Sequence, residues 1–156
     1  MIRPMLPREY PLLREFLYHA IFVPEGELPP PRSIIDKPEL QVYLRNFGTE
    51  KDDIAFVAEE NRCVVGAVWV RDMPDYGHVA DSVPSFAIAL LPAYRGRGLG
   101  TALMQTMLAE LRRRGYPRCS LAVQKRNRAL HLYRRLGFTA VDENDEEFIM
   151  VHDFIK

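Results

Sequence analysis

Three glycines and two arginines alternate in Arg95-Gly96-Arg97-Gly98-Leu99-Gly100, the strongest chemical signal in the chain. An apolar, strand-like run precedes them, Phe86-Ala-Ile-Ala-Leu-Leu91, closed by Pro92. A helix pattern follows, with Leu103, Met104, Met107, Leu108 and Leu111 on one face. Strand, glycine-rich turn and helix together build an anion site. Without Cβ atoms the turn bends sharply and its backbone can approach a ligand. The first N–H groups of the new helix have no partner inside it, and the helix dipole adds partial positive charge there. Arg95 and Arg97 supply fixed charges suited to phosphate oxygens. The stretch is not a P-loop, because Thr101 and Ala102 stand where Lys and Ser/Thr would be needed. It is a poor dinucleotide fingerprint too, since no acidic residue follows about 20 positions on to hold a ribose. A Gly-rich basic turn is also compatible with an ordinary connection or an RNA-touching segment.

A second group of residues lies downstream. Cys119-Ser-Leu-Ala-Val123 reads as a strand, followed by Asn127-x-Ala129-x-x-x-Tyr133-x-x-x-Gly137-Phe138. Asn127 suits a helix N-cap, a ligand contact, or both. Tyr133 taken alone is a half-buried helix aromatic.

With Arg95-x-x-Gly98-x-Gly100 after a strand ending in Leu90-x-Pro92, this pattern resembles the GCN5-related N-acetyltransferases. The resemblance is strong from Phe86 to Phe138, and elsewhere rests on length and element order. It implies acetyl-CoA as co-substrate and acetyl transfer to a primary amine by direct attack in a ternary complex. Arg95, Gly96, Arg97, Gly98, Leu99, Gly100 and Thr101 would then hold the pyrophosphate. The backbone of Ile88, Ala89 and Leu90 would meet the pantetheine arm, with the Leu90 N–H offered to the thioester carbonyl. Asn127, Ala129 and Tyr133 would contact the cofactor, and Tyr133 would protonate the departing thiolate.

A protonated alkylamine has a pKa of about 10.4, so something must take its proton. The family often uses a Glu or a water chain near the central strand, and no acid lies within Phe86–Leu91. Asp75, Tyr76, His78 and Asp81 in the preceding connection are the available groups. His78 and Asp81 are expected to act as the base; the alternative for His78 is a plain surface residue. Phe22, Glu25, Tyr43, Arg71, Asp75, Tyr76 and Ser85 are expected around the acceptor, between the Phe22–Ile35 and Met73–Pro84 connections. The acceptor is read as a small amine, with a protein N-terminus or lysine as the alternative. Two further readings are a non-catalytic acyl-CoA sensor and a nucleic-acid-binding module.

Apolar patterning sets the strands and helices around these residues. Ile2–Leu6 reads as a strand, and Pro7 or Pro11 opens a helix with Leu12, Leu13, Phe16, Leu17 and Ala20 inward. Four prolines make Val23–Arg32 a loop. A short helix is expected from Pro38 to Phe47, ended by Gly48. Ile54–Glu59 and Cys63–Arg71 form a hairpin. Met73–Pro84 is a long polar connection of the kind that often carries function. The helix after the glycine turn runs to Arg114, and Phe138–Val141 pairs with Glu147–Phe154. The order predicts a mixed α/β (α+β) fold in a single domain over 1–156. The resemblance implies a mostly antiparallel twisted sheet of about seven strands with about four helices. It also implies that the strands of Phe86–Leu91 and Cys119–Val123 splay apart.

Composition agrees with these expectations. The 156 residues are 47% hydrophobic and 27% charged, ordinary for a globular chain. Twenty-one basic residues balance twenty-one acidic ones. Yet between Arg95 and Arg135 eleven cationic side chains face only Glu110. Solvated helix faces and a polyphosphate ligand account for that excess, and interleaved aromatics for nucleic acid are lacking. No apolar run approaches the ~20 residues of a membrane helix, and the N-terminus does not read as a signal peptide. Cys63 and Cys119 fit no metal spacing and are expected to be buried free thiols in a cytoplasmic protein, for which a homodimer is one possible state.

Overall fold

Seven strands form one sheet in a computed structural model that describes residues 1–154. They are β1 (Ile2–Pro4), β2 (Ile54–Glu60), β3 (Cys63–Arg71), β4 (Ser85–Leu90), β5 (Arg118–Gln124), β6 (Thr139–Glu143) and β7 (Glu147–Asp153). Spatial order is β1-β2-β3-β4-β5-β7-β6. Every neighbouring pair is antiparallel except β4–β5, which is parallel. The helices are α1 (Leu13–Ala20), α2 (Pro38–Gln41), α3 (Leu99–Arg113) and α4 (Ala129–Arg135).

Alternation along the strands splits the core between the two sheet faces. On one face, Val68 and Val70 of β3 with Phe86 of β4 pack against Leu103, Met104, Met107, Leu108 and Leu111 of α3 and Leu130 and Tyr133 of α4. On the other, Ala67, Trp69, Ala87 and Ala89 pack against Leu13, Phe16 and Leu17 of α1. The alanines on β4 let α1 lie close over the strand that carries the site.

Two expectations are corrected. The helix expected over Pro38–Phe47 is helical only to Gln41 and continues as turns to Phe47, with Asn46 in the left-handed region at φ 53°. Its apolar residues still pack inward, so burial there does not require a regular helix. Cys63 is exposed, because it opens β3 right after the hairpin turn; Cys119 is buried and its thiol pKa is pushed up by that burial. The first helix opens as a 3₁₀ segment over Pro7–Leu12, with Pro11 inside it, before α1 begins. Trp69 is fully buried and donates from Nε1 to the Tyr43 carbonyl at 3.1 Å.

Candidate active site

The sheet parts between β4 and β5. These two strands share one paired position, Ser85 with Ser120, while β3–β4 pairs over six positions and β5–β7 over seven. The vertex is held by the Ser120 N–H donating to the Pro84 carbonyl at 3.0 Å and by the two serine hydroxyls at 3.1 Å. Beyond it lies a gap with unpaired backbone on both sides. Leu91 donates to the Val65 carbonyl, so in an alternating ladder Ala87 and Ala89 also face β3. Ile88 and Leu90 therefore turn their N–H and C=O groups into the gap. Across it, Lys125 donates to the Glu146 carbonyl, which by the same alternation turns Ala122 toward β4. Gly66 makes room at the far end, since a Cβ there would stand 2.4 Å from Leu90 Cδ2.

The glycine turn sits at the mouth of that gap. Gly96 and Gly98 have φ of 75° and 82°, where an L side chain is strained, and nothing lies within 4 Å of a Cβ built on either. Gly98 is the N-cap of α3 and supplies no side-chain cap. Ala102 makes the first backbone bond, to Gly98, so the Leu99, Gly100 and Thr101 amides are left pointing out of the helix end. Arg95 is braced: it donates from Nε to the Leu90 carbonyl at 3.3 Å and from NH2 to the His19 carbonyl at 3.1 Å. Arg97 lies 5.1 Å over the Tyr94 ring and 3.7 Å from Glu60. Open amides, two exposed guanidinium groups and the clear space beside Gly96 and Gly98 suit a pyrophosphate. The free strand edges suit an amide-bearing arm laid between them. Coenzyme A fits these residues.

Asn127 stands one residue before the N-cap of α4; its Oδ1 accepts from the Ala129 N–H at 3.0 Å and its carbonyl from the Leu130 N–H. Its amide nitrogen has no partner among the described residues. Tyr133 is buried with ring centroids 6.0 Å from Phe138, which in turn stands 6.0 Å from Phe86 of β4. Burial pushes its hydroxyl up to about 12, so it stays protonated at neutral pH.

The residues expected around the acceptor separate into groups. Arg71 is withdrawn from the pocket. It is buried, bonds Asp53 at 3.0 and 3.2 Å, and donates to the Val42 and Arg45 carbonyls. Its job is to tie β3 to the segment after α2. Tyr43 and Ser85 are also buried, not surface contacts. Phe22 is half-buried, and Glu25 and Tyr76 are exposed. His78 bonds the Met73 carbonyl through Nδ1 at 2.9 Å, which places the proton on Nδ1 because a carbonyl only accepts. Its Nε2 faces Asp81 at 3.7 Å, whose side chain is 99% exposed. Asp75 stands apart: both its carboxylate oxygens are buried, and no cation pairs with them among the described residues.

Some contributors carry no sequence signal. Ser120 holds the vertex, Gly77 packs on β5, and the His19 carbonyl braces Arg95 from the end of α1. Each acts through a partner distant in the chain. A surface cavity of about 500 Å³ between α1 and the Arg32–Asp36 turn is lined by the end of the Phe22–Ile35 connection but by none of the individual site residues named from the sequence.

The split sheet over a glycine turn is matched by sequence. The family model described as Acetyltransferase (GNAT) family matches residues 17–138, and this protein belongs to that family. Among curated relatives, the chain is 38% identical over 64 residues to a [ribosomal protein bS18]-alanine N-acetyltransferase of Haemophilus influenzae. That match covers 41% of this chain and 44% of the relative. It is 36% identical over 86 residues to a mycothiol acetyltransferase of Rhodococcus jostii, covering 54% of this chain and 28% of that protein. The matched stretch thus spans less than half of either relative. Among solved structures, the fold is similar to a PaiA N-acetyltransferase from Thermoplasma acidophilum in complex with coenzyme A. The TM-score is 0.69 at 18% identity, with 98% of each chain covered.

Proposed function

We propose that this protein transfers the acetyl group of acetyl-CoA to a primary amine, by direct attack with both substrates bound. The observation that carries the reading is the gap beyond the single Ser85–Ser120 pair, lined by unpaired amides and ending at the α3 turn. Coenzyme A supplies an acetyl group activated as a thioester. The chain supplies position: the Leu99–Thr101 amides with Arg95 and Arg97 hold the phosphates, and Ile88 and Leu90 align the arm. Good orientation of two reactants is worth about 7–11 kcal/mol of barrier. The Ile88 and Leu90 N–H groups both face the gap. Leu90 stands at the α3 end with Arg95, so Ile88, nearer the Ser85–Ser120 vertex, is the donor offered to a thioester carbonyl there. Tyr133 holds a proton for the sulfur; the apolar surroundings that raise its own pKa also make a departing thiolate more basic.

The acceptor is placed between the loop after α1, with Phe22 and Glu25, and the Met73–Pro84 connection, with Tyr76, His78 and Asp81. A small amine is the first reading. A protein N-terminal amine is the second, supported by the resemblance to the bS18-alanine enzyme over the stretch they share. Calorimetry with acetyl-CoA, followed by thiol release with small amines and alanyl or lysyl peptides, tests the reading and ranks the acceptors. Absence of acetyl-CoA binding would sink it.

A further inference from the structure

The Met73–Pro84 connection buries one carboxylate, that of Asp75. The turn Asp75-Tyr76-Gly77-His78 closes with the His78 N–H donating to the Asp75 carbonyl at 3.2 Å. Gly77 is wedged against β5, where an added Cβ would stand 2.9 Å from the Ala122 nitrogen. The Gly77 carbonyl accepts from the Ser120 hydroxyl at 2.7 Å. The turn is thus pinned at the level where β4 and β5 part. The groups around the Asp75 carboxylate are the Tyr43 hydroxyl, from the segment after α2, the Ser85 hydroxyl of β4 and the Gly77 amide of the turn itself. All three are neutral donors directed at the carboxylate, at the margin of hydrogen-bond geometry, and none is a cation. His78 and Asp81, further along the connection, face each other instead.

A buried carboxylate with only neutral donors around it lacks a counter-charge, and an ammonium group would supply one. Building on the acetyltransferase reading, we infer that Asp75 receives the acceptor's ammonium group at the vertex of the gap and takes its proton. The acceptor enters as R–NH3⁺ and gives one proton to the Asp75 carboxylate. The freed lone pair forms the N–C bond to the acetyl carbon as the C–S bond breaks. Tyr133 gives its proton to the sulfur and takes up the second nitrogen proton, while Asp75 releases the first to water. Once Asp75 and Tyr133 have re-equilibrated, the products are the acetamide, free thiol and one proton in water. Burial lifts Asp75 above the ordinary carboxylate range, toward the pKa of the amine it must deprotonate, which favours a general base. His78 is worse placed, with one nitrogen committed to Met73 and the other toward a fully exposed Asp81. Entry requires the turn to lift, and its hold on β5 is the Ser120 hydrogen bond and the Gly77 contact.

The test compares wild type, Asp75→Asn and His78→Ala in transfer from acetyl-CoA to n-propylamine, putrescine and an alanyl tripeptide. Rates are read between about pH 6 and about pH 10, bracketing the amines' own titration. Asp75→Asn should lose about 10²-fold near neutrality and recover as solvent supplies the neutral amine, with acetyl-CoA affinity unchanged. His78→Ala should keep the rise of rate with pH. A wild-type pH profile in Asp75→Asn, a loss equal at every pH, or a rise that vanishes in His78→Ala would each overturn the assignment. Wild type inactive on all three amines would instead overturn the acetyltransferase reading, and this assignment with it. Should Asp75→Asn not fold, Tyr43→Phe decides. Losing the neighbouring hydroxyl should move the acid limb of kcat/KM to higher pH, and an unmoved limb would refute the role.

Discussion

Tyr133 shows how little one residue type says without its surroundings. Its ring packs with Phe138 in the core, and its hydroxyl is held protonated by burial. Tyr133→Phe keeps the packing and removes the proton. A fall in kcat of about ten-fold or more is expected, at the low end of general-acid effects, with acetyl-CoA affinity nearly unchanged. Steady-state kinetics beside calorimetry separates the two, and unchanged turnover would leave Tyr133 as a core aromatic. Asp75 makes a second prediction, on stability. Its folded pKa is raised, so between the unfolded value of about 3.9 and the folded value the native state binds more protons than the unfolded one. Stability therefore falls as pH rises through that window, and the penalty is fully present above it. Asp75→Asn should unfold at higher denaturant than wild type at neutral pH, and the difference should close in acid. A variant less stable than wild type at neutral pH would show that the carboxylate has a partner in solution.

At the scale of elements, the turn before α3 permits a cleaner separation of charge from shape. Gly98 sits at φ 82° with open space where a side chain would go. Asp and Asn both tolerate the left-handed region better than other side chains. Gly98→Asp and Gly98→Asn should thus carry similar strain, about 1 kcal/mol. The Asp variant adds a carboxylate beside the free amides of the helix end. It should bind acetyl-CoA far more weakly than the Asn variant, with equal thermal stability. Equal binding by the two would remove the phosphate from this turn. This element was legible because its signal is local: glycines for backbone, arginines for charge, apolar spacing for the helix behind. The central strand and α4 were legible for the same reason. The span from Leu40 to Phe47 was not, because apolar spacing records burial and turns can bury the same residues. Arg71 was misread because its partner, Asp53, is reached across a hairpin that no local pattern registers. Asp75 was visible as a candidate, but its burial depends on Tyr43 and Ser85 closing around it from other elements.

For the whole molecule, the gap divides the sheet into two parts, β1–β4 and β5–β7. Across the gap the serine vertex, Gly77 on β5, and Phe86 against Phe138 hold them together. A ligand laid along both free edges would bond to each part, and so should stabilise the fold as a unit. At a hundred times its dissociation constant, acetyl-CoA contributes about 2.7 kcal/mol if it binds only the native state. For a chain of this size each kcal/mol raises Tm by about 2–4 °C, so a rise of about 5–10 °C is expected. Hydrogen exchange gives the sharper reading. The Ala87 and Ala89 amides face β3 and should be protected with or without ligand. The Ile88 and Leu90 amides face the gap and should slow only when acetyl-CoA is present, giving a period of two along β4. A rise in Tm without that alternation would mean that the ligand grips the helix end alone. The acyl end would then not lie in the gap, and Tyr133 and Asp75 would be left without a substrate between them.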